Sequence, residues 1–206
     1  LEFRRVLFRS AGEYDGVFLD SASPALLQWE ARAPLDRRLL GTGVRVTRFP
    51  ELGDRSWIQA WEEWMADLSA SLGREGIPLI PNVGALATAW DNTDYSLAAG
   101  VFCEGYLDPG LSTGDWRSAA NQTLALVRQH RIVILQNYLP SGPDVERRKF
   151  LLASYLLVKG SRTYGVYFHS ALDWYPEWDL DLGGPQRTGN TVDDLAWQGE
   201  IGRAHV

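Results

Sequence analysis

Gly100-Val101-Phe102-Cys103-Glu104 is a short apolar run that opens on glycine and closes on a carboxylate. Four other short apolar runs likewise close on a polar residue: Gly16-Val17-Phe18-Leu19-Asp20, Ile77-Pro78-Leu79-Ile80-Pro81-Asn82, Ile132-Val133-Ile134-Leu135-Gln136-Asn137 and Tyr164-Gly165-Val166-Tyr167-Phe168-His169. Each is continuous rather than alternating, as strands buried on both faces of a parallel sheet read.

Helical stretches lie between these runs. Trp57, Trp61, Trp64, Met65, Leu68 and Leu72 recur at three and four residues, with Glu62, Glu63 and Asp67 on the remaining surface, so the spacing makes the tryptophans packing residues. Gly73-Arg74-Glu75-Gly76 stops that helix just before Ile77. A second helix is predicted from Asp115 or Trp116 to His130, and a third from near Pro143-Asp144 to Lys159-Gly160. Helix alternating with buried strand is the βαβ pattern of an α/β protein.

Two α/β architectures compete. A doubly wound sheet normally carries a glycine-rich phosphate loop after a strand, and neither G-x-G-x-x-G nor G-x-x-x-x-G-K-[S/T] occurs here. A TIM-type (β/α)8 barrel instead gathers single polar residues at the C-terminal ends of several strands. Asp20, Asn82, Glu104, Gln136 and His169 stand at such ends, so the expected fold is a partial TIM barrel. Five strands are visible where eight are required, and the others are expected before Ala11.

The two ends read differently. Residues 1–10 and 200–206 look like translated sequencing-adapter DNA and are expected to be non-native, leaving a domain over residues 11–199. Five strands alone would have two open edges, so a polypeptide of this extent is expected to be poorly stable.

Without Arg4, Arg5, Arg9 and Arg203, and without Glu2 and Glu200, sixteen basic and twenty-four acidic side chains remain. An acidic surface argues against nucleic acid as a partner, because polyanion binding depends on neutralising phosphates. No apolar run approaches the roughly twenty residues that cross a bilayer, so membrane insertion is not expected. The single Cys103 supplies neither an internal disulfide nor a zinc spacing. No metal or other cofactor is expected.

Asp20 and Glu104 are the candidate catalytic residues, since each is the first acid after an apolar strand and a barrel would point both toward one mouth. Two carboxylates facing one bond are the equipment of glycoside hydrolysis, where one protonates the leaving oxygen and the other attacks the anomeric carbon or activates water. The alternative is that they cap strand ends or pair with arginine. Asp15 precedes its strand and reads as structural, while Asp94 and Asp108 are rival partners in nearby loops.

Candidate substrate-binding residues surround that pair. Asn82 and Gln136 can donate and accept at once, which suits sugar hydroxyls. Tyr138 and Tyr167 either meet substrate or belong to the core, Tyr106 is expected to line the mouth, and His169 is either a base or hydroxyl donor or a hydrogen-bonded strand end. Trp90, Trp174 and Trp178 fall outside the helical stripes, so they either cover a sugar ring or pin loops down.

Tyr14-Asp15-Gly16-Val17-Phe18-Leu19-Asp20 resembles a strand-end motif of several barrel glycosidases. Together with Ile80-Pro81-Asn82, with Gly100-Val101-Phe102-Cys103-Glu104-Gly105-Tyr106 and with the run from Trp174 to Pro185, it resembles the hypothetical glycosyl hydrolase family fifteen group, and more distantly the polygalactosaminidase-type barrels. The resemblance implies a (β/α)8 barrel in which this chain supplies strands four to eight, with Asp20 ending the fourth and Glu104 the sixth. It also implies action on a polysaccharide, which would suit a secreted protein. One departure is that the last-strand region stops at Trp197-Gln198-Gly199, before the closing segment such proteins have.

The expected activity is therefore hydrolysis of O-glycosidic bonds, with Glu104 as general acid and Asp20 as nucleophile or general base. A non-catalytic carbohydrate-binding barrel is the alternative, and it would leave the two acids far apart and engaged by arginine. A metal-dependent or aldolase-like barrel would need more than His130 and His169, or a strand-borne lysine in place of Lys149 and Lys159.

Overall fold

The computed structural model describes residues 15–24, 54–84, 86, 92–107, 111–139, 144–168, 174–184, 187–197 and 200–201. The candidates Trp90 and His169, the rival Asp108 and most of both expected non-native ends lie outside the described residues.

All five apolar runs form strands: β1 (Val17–Leu19), β2 (Leu79–Pro81), β3 (Gly100–Glu104), β4 (Ile132–Tyr138) and β5 (Thr163–Phe168). β1 pairs with β2, and β3 with β4 and β4 with β5, always in parallel. The two groups join through a parallel bridge between Asn82 and Phe102, with Val83 N–H bonded to the Phe102 carbonyl at 2.9 Å and Ala99 N–H to the Leu79 carbonyl at 3.1 Å. Strand order thus follows chain order, as in a singly wound α/β layer.

The helices are α1 (Arg55–Gly73), α2 (Thr113–Arg128) and α3 (Val145–Val158). Each starts on a side chain that meets otherwise orphaned amides: Asp54 accepts from Ser56 and Trp57, Ser112 from Asp115, and Asp144 from Arg147. Such a cap stabilises a helix by about 1 kcal/mol. α1 ends where the sequence predicts, and Gly76 turns the chain into β2 at φ 71°. Its buried stripe is Ile58, Trp61, Met65 and Leu72, whereas Trp64 falls off the stripe and is 47% exposed. β2 reaches β3 through a short 3-10 turn, Tyr95–Leu97, and a two-residue antiparallel pair, β6 (Ala196–Trp197) with β7 (Glu200–Ile201), lies near the end.

The core fills one side of the strand layer. Val101, Cys103, Val133 and Leu135 meet Met65, Leu72, Ala119, Ala120 and Leu124 there, and burying each large apolar side chain stabilises the fold by about 1.5–3 kcal/mol. Gly100 is required at its place, since a Cβ would overlap the carbonyl oxygen and Cβ of Ile132.

The continuous apolar runs predict burial on both faces, but the structure divides them. In β4, Val133, Leu135 and Asn137 are buried against the helices, while Ile132, Ile134 and Gln136 are half-buried and Tyr138 is exposed. Phe18, Phe102 and Tyr164 also face the open side, where the Phe18 and Phe102 rings meet edge to face at 5.3 Å. Ile80 pairs with Phe18, and Ile134 with Phe102, so these four residues form an apolar floor across the strands.

Candidate active site

One residue pair further along each strand, the open face turns polar. Asp20 follows Phe18 by two residues, Asn82 follows Ile80, Glu104 follows Phe102 and Gln136 follows Ile134, so the two-residue period puts all four above the floor. Tyr138 stands two residues beyond Gln136 on the same face.

Asn82 ties the group together. Its Nδ2 donates to Asp20 Oδ1 at 3.0 Å and to Glu104 Oε2 at 2.8 Å. Its Oδ1 accepts from Gly84 N–H at 3.1 Å, and because that partner can only donate, the amide nitrogen must be the atom facing the acids. Gly84 holds φ 70°, a left-handed turn that brings its N–H back to the side chain it fixes. Asn82 is buried, Glu104 half-buried and Asp20 exposed.

Glu104 has a second donor, the Tyr138 hydroxyl on Oε1. That hydrogen bond is the main reason the Tyr138 phenol lies above its ordinary range; partial burial and the negative charge of Glu104 act in the same direction, Asp20 adds a little, and Gln136 opposes as a hydrogen-bond partner. The phenol therefore remains a donor at neutral pH. Among the described residues no guanidinium or ammonium group pairs with either acid.

The backbone sets these positions. Asn82 N–H donates to the Leu19 carbonyl at 2.8 Å, and Ala22 N–H to the Asn82 carbonyl at 2.9 Å, so the turn after Asp20 is strapped to β2. Trp61 reaches the same turn with its indole N–H on the Ala22 carbonyl at 2.8 Å, and Trp57 binds the Pro24 carbonyl at 2.8 Å. Helical spacing marks Trp57 and Trp61 only as packing residues, yet an indole N–H turned toward the interior also requires an acceptor, and here both find one on this turn. On the other flank, Gly105 and Tyr106 N–H groups both bond the Gln136 carbonyl.

Five of the expected site residues, Asp20, Asn82, Glu104, Gln136 and Tyr138, thus come together. Others do not. Tyr106 is 1% exposed in the main core beside Thr123, which corrects its reading as a groove residue: Gly105, at φ 71°, swings the chain so that Tyr106 enters the helix side. Tyr167 pairs in register with Asn137, the buried face of β4, and packs with Leu139 and Leu151 away from the acids. Trp178 contacts the Tyr167 ring at 5.3 Å and Trp174 contacts Trp178 at 5.0 Å, so both stand with α3 rather than over Glu104. Trp174 and Trp178, with Tyr155, Leu156 and Leu182, line a separate cavity of about 420 Å³ there. Asp94 is occupied as the cap of the 3-10 turn, bonding Ser96.

These features define an α/β protein with a parallel strand layer and a polar, carboxylate-bearing cluster at the C-terminal ends of its strands, the place where such folds carry their chemistry. The chain belongs to hypothetical glycosyl hydrolase family 15, whose family model matches residues 4–198. No curated protein matches it. No helix among the described residues is long and apolar enough to cross a membrane.

Proposed function

We propose that this protein is a glycoside hydrolase acting on O-glycosidic bonds of a polysaccharide or oligosaccharide, with Asp20 and Glu104 as its catalytic pair. The observation that carries this reading is the single amide, Asn82 Nδ2, that holds both carboxylates on one open face. An acetal needs a proton on its leaving oxygen and a nucleophile or activated water at its anomeric carbon, and two acids facing one bond supply both. Gln136 stands where sugar hydroxyls would be met, and Tyr138 beyond it holds Glu104. The apolar floor of Phe18 and Phe102 suits the less polar face of a sugar ring.

The chain-ordered parallel strands, each ending in a polar residue, support the further reading that they belong to a (β/α)8 barrel whose mouth is this face. The expected adapter origin of residues 1–10 and 200–206 has no bearing on the site, which lies between Asp20 and Tyr138.

The full-length protein, incubated with a panel of plant, fungal and bacterial polysaccharides, is expected to release reducing ends from at least one, and Glu104→Gln to abolish that release. Release that survives in Glu104→Gln, or no release by the folded protein from any member of the panel, would contradict the assignment.

A further inference from the structure

Resting on that function, we infer that hydrolysis proceeds with retention of anomeric configuration, that Glu104 is the nucleophile, and that Asp20 is the acid and then the base. The first part follows from how far apart the acids are. Asp20 Oδ1 and Glu104 Oε2 share one nitrogen at 3.0 and 2.8 Å, so their separation cannot exceed the two hydrogen bonds laid end to end. Two near-linear bonds from the two hydrogens of one amide place the acceptors roughly 5 Å apart. Retaining enzymes hold their carboxyl groups about 5–5.5 Å apart, whereas inverting ones need about 6.5–9.5 Å to seat a water between carboxylate and sugar.

The donors decide the roles, and they exchange the assignment expected from the sequence. Glu104 accepts from Asn82 on one oxygen and from Tyr138 on the other. A group gripped by two donors is presented as an acceptor, the form a nucleophile needs, and each oxygen keeps a further lone pair for the attack. Glu104 is also the more enclosed of the two, positioned from both sides by β2 and β4. Asp20 is exposed and, among the described residues, accepts one side-chain bond, from Asn82 to Oδ1, which suits its other oxygen to meet a leaving group and solvent.

The steps balance as follows. A Glu104 oxygen attacks the anomeric carbon and forms a C–O bond; the glycosidic C–O bond breaks, its electron pair stays on the leaving oxygen, and that oxygen takes the Asp20 proton. Water then attacks the same carbon and gives a proton to Asp20, and the bond to Glu104 breaks to restore the carboxylate. Asn82 and Tyr138 are positioning residues that fix Glu104 against the ring.

The test uses a panel of 2,4-dinitrophenyl glycosides of both anomeric configurations with the full-length protein, following the first-formed sugar by proton NMR before mutarotation. Retention is expected. With azide added, Asp20→Ala should turn over on the order of 10-fold faster or more and yield a glycosyl azide of retained configuration, whereas Glu104→Ala should yield the inverted azide. Inverted product from the wild-type protein would overturn the inference while leaving the hydrolase reading intact, and azide products with the two variants exchanged would overturn the role assignment. Absence of hydrolysis across the panel and across polysaccharides would end both readings. The wild-type NMR result stands even if a variant fails to fold.

Discussion

Asn82 Nδ2 lies 2.8 Å from Glu104 Oε2, and the same nitrogen holds Asp20. One side chain thus sets the spacing of two acids that lie eighty-four residues apart in sequence. Replacing it by Asp keeps the shape but puts a third acceptor where a donor is required, so Asn82→Asp is expected to lower kcat/KM by about 100-fold or more with little change in fold. Steady-state kinetics beside a circular dichroism spectrum check this, and near-wild-type kcat/KM would show that the amide does not organise the site.

The Tyr138 hydroxyl orients Glu104 from the opposite side. Tyr138→Phe removes that donor, and the expected loss is about 10- to 100-fold in kcat with KM little altered, because the phenol acts on the carboxylate and not on bound sugar. A rise in KM at constant kcat would instead make Tyr138 a substrate contact.

Away from the site, Arg148 Nε bonds Glu177 Oε1 at 2.5 Å and lies over the Tyr175 ring, fastening the segment that carries Trp174 and Trp178 to α3. The hydrogen bond from Arg148 holds the Glu177 carboxyl below its ordinary range. A carboxyl lowered in the folded state adds stability that is fully present above the unfolded value of about 4.3 and is lost as pH falls through the folded value. Urea unfolding is therefore expected to find Glu177→Gln about 1–3 kcal/mol less stable than wild type at pH 7, with the gap closing toward pH 3. A gap that persists undiminished at pH 3 would contradict this account.

Much of the fold was legible because each strand is a dense apolar run and each helix opens on a capping residue; β3 and β4 begin and end within a residue of their runs. The site was legible to the extent that period two carries a strand-end acid and its neighbours onto one face, as with Asp20, Asn82, Glu104 and Gln136. Burial faces were not legible, because a continuous run gives no sign of which side the helices cover. Nor were the positions after the strands. Tyr106 and Tyr138 both follow a strand-end polar residue by two, yet Gly105 turns one into the core while β4 simply continues to the other. The tryptophans of the last segment carry no period, so only coordinates could place them on α3.

At Gly100, β3 meets β4 with no space for a Cβ, at the start of the pairing that ends at Glu104 and Gln136. Gly100→Ala has no room, since the new methyl would meet backbone and Cβ of Ile132. The expected cost is about 3 kcal/mol or more through displacement of that pairing, read as a lowered midpoint in thermal unfolding; an unchanged midpoint would mean that the strands are not so closely joined.

The central claim is that Asp20 and Glu104 act together on one bond. Measuring kcat for Asp20→Asn, Glu104→Gln and the double variant on the same substrate tests it most directly. Each single change is expected to lower kcat by about 100-fold or more, and the double change to be about as slow as the worse single one, because groups that act as a unit do not lose their effects additively. Losses that multiply in the double variant, or a single variant that keeps wild-type turnover, would mean that the two carboxylates do not work on the same bond.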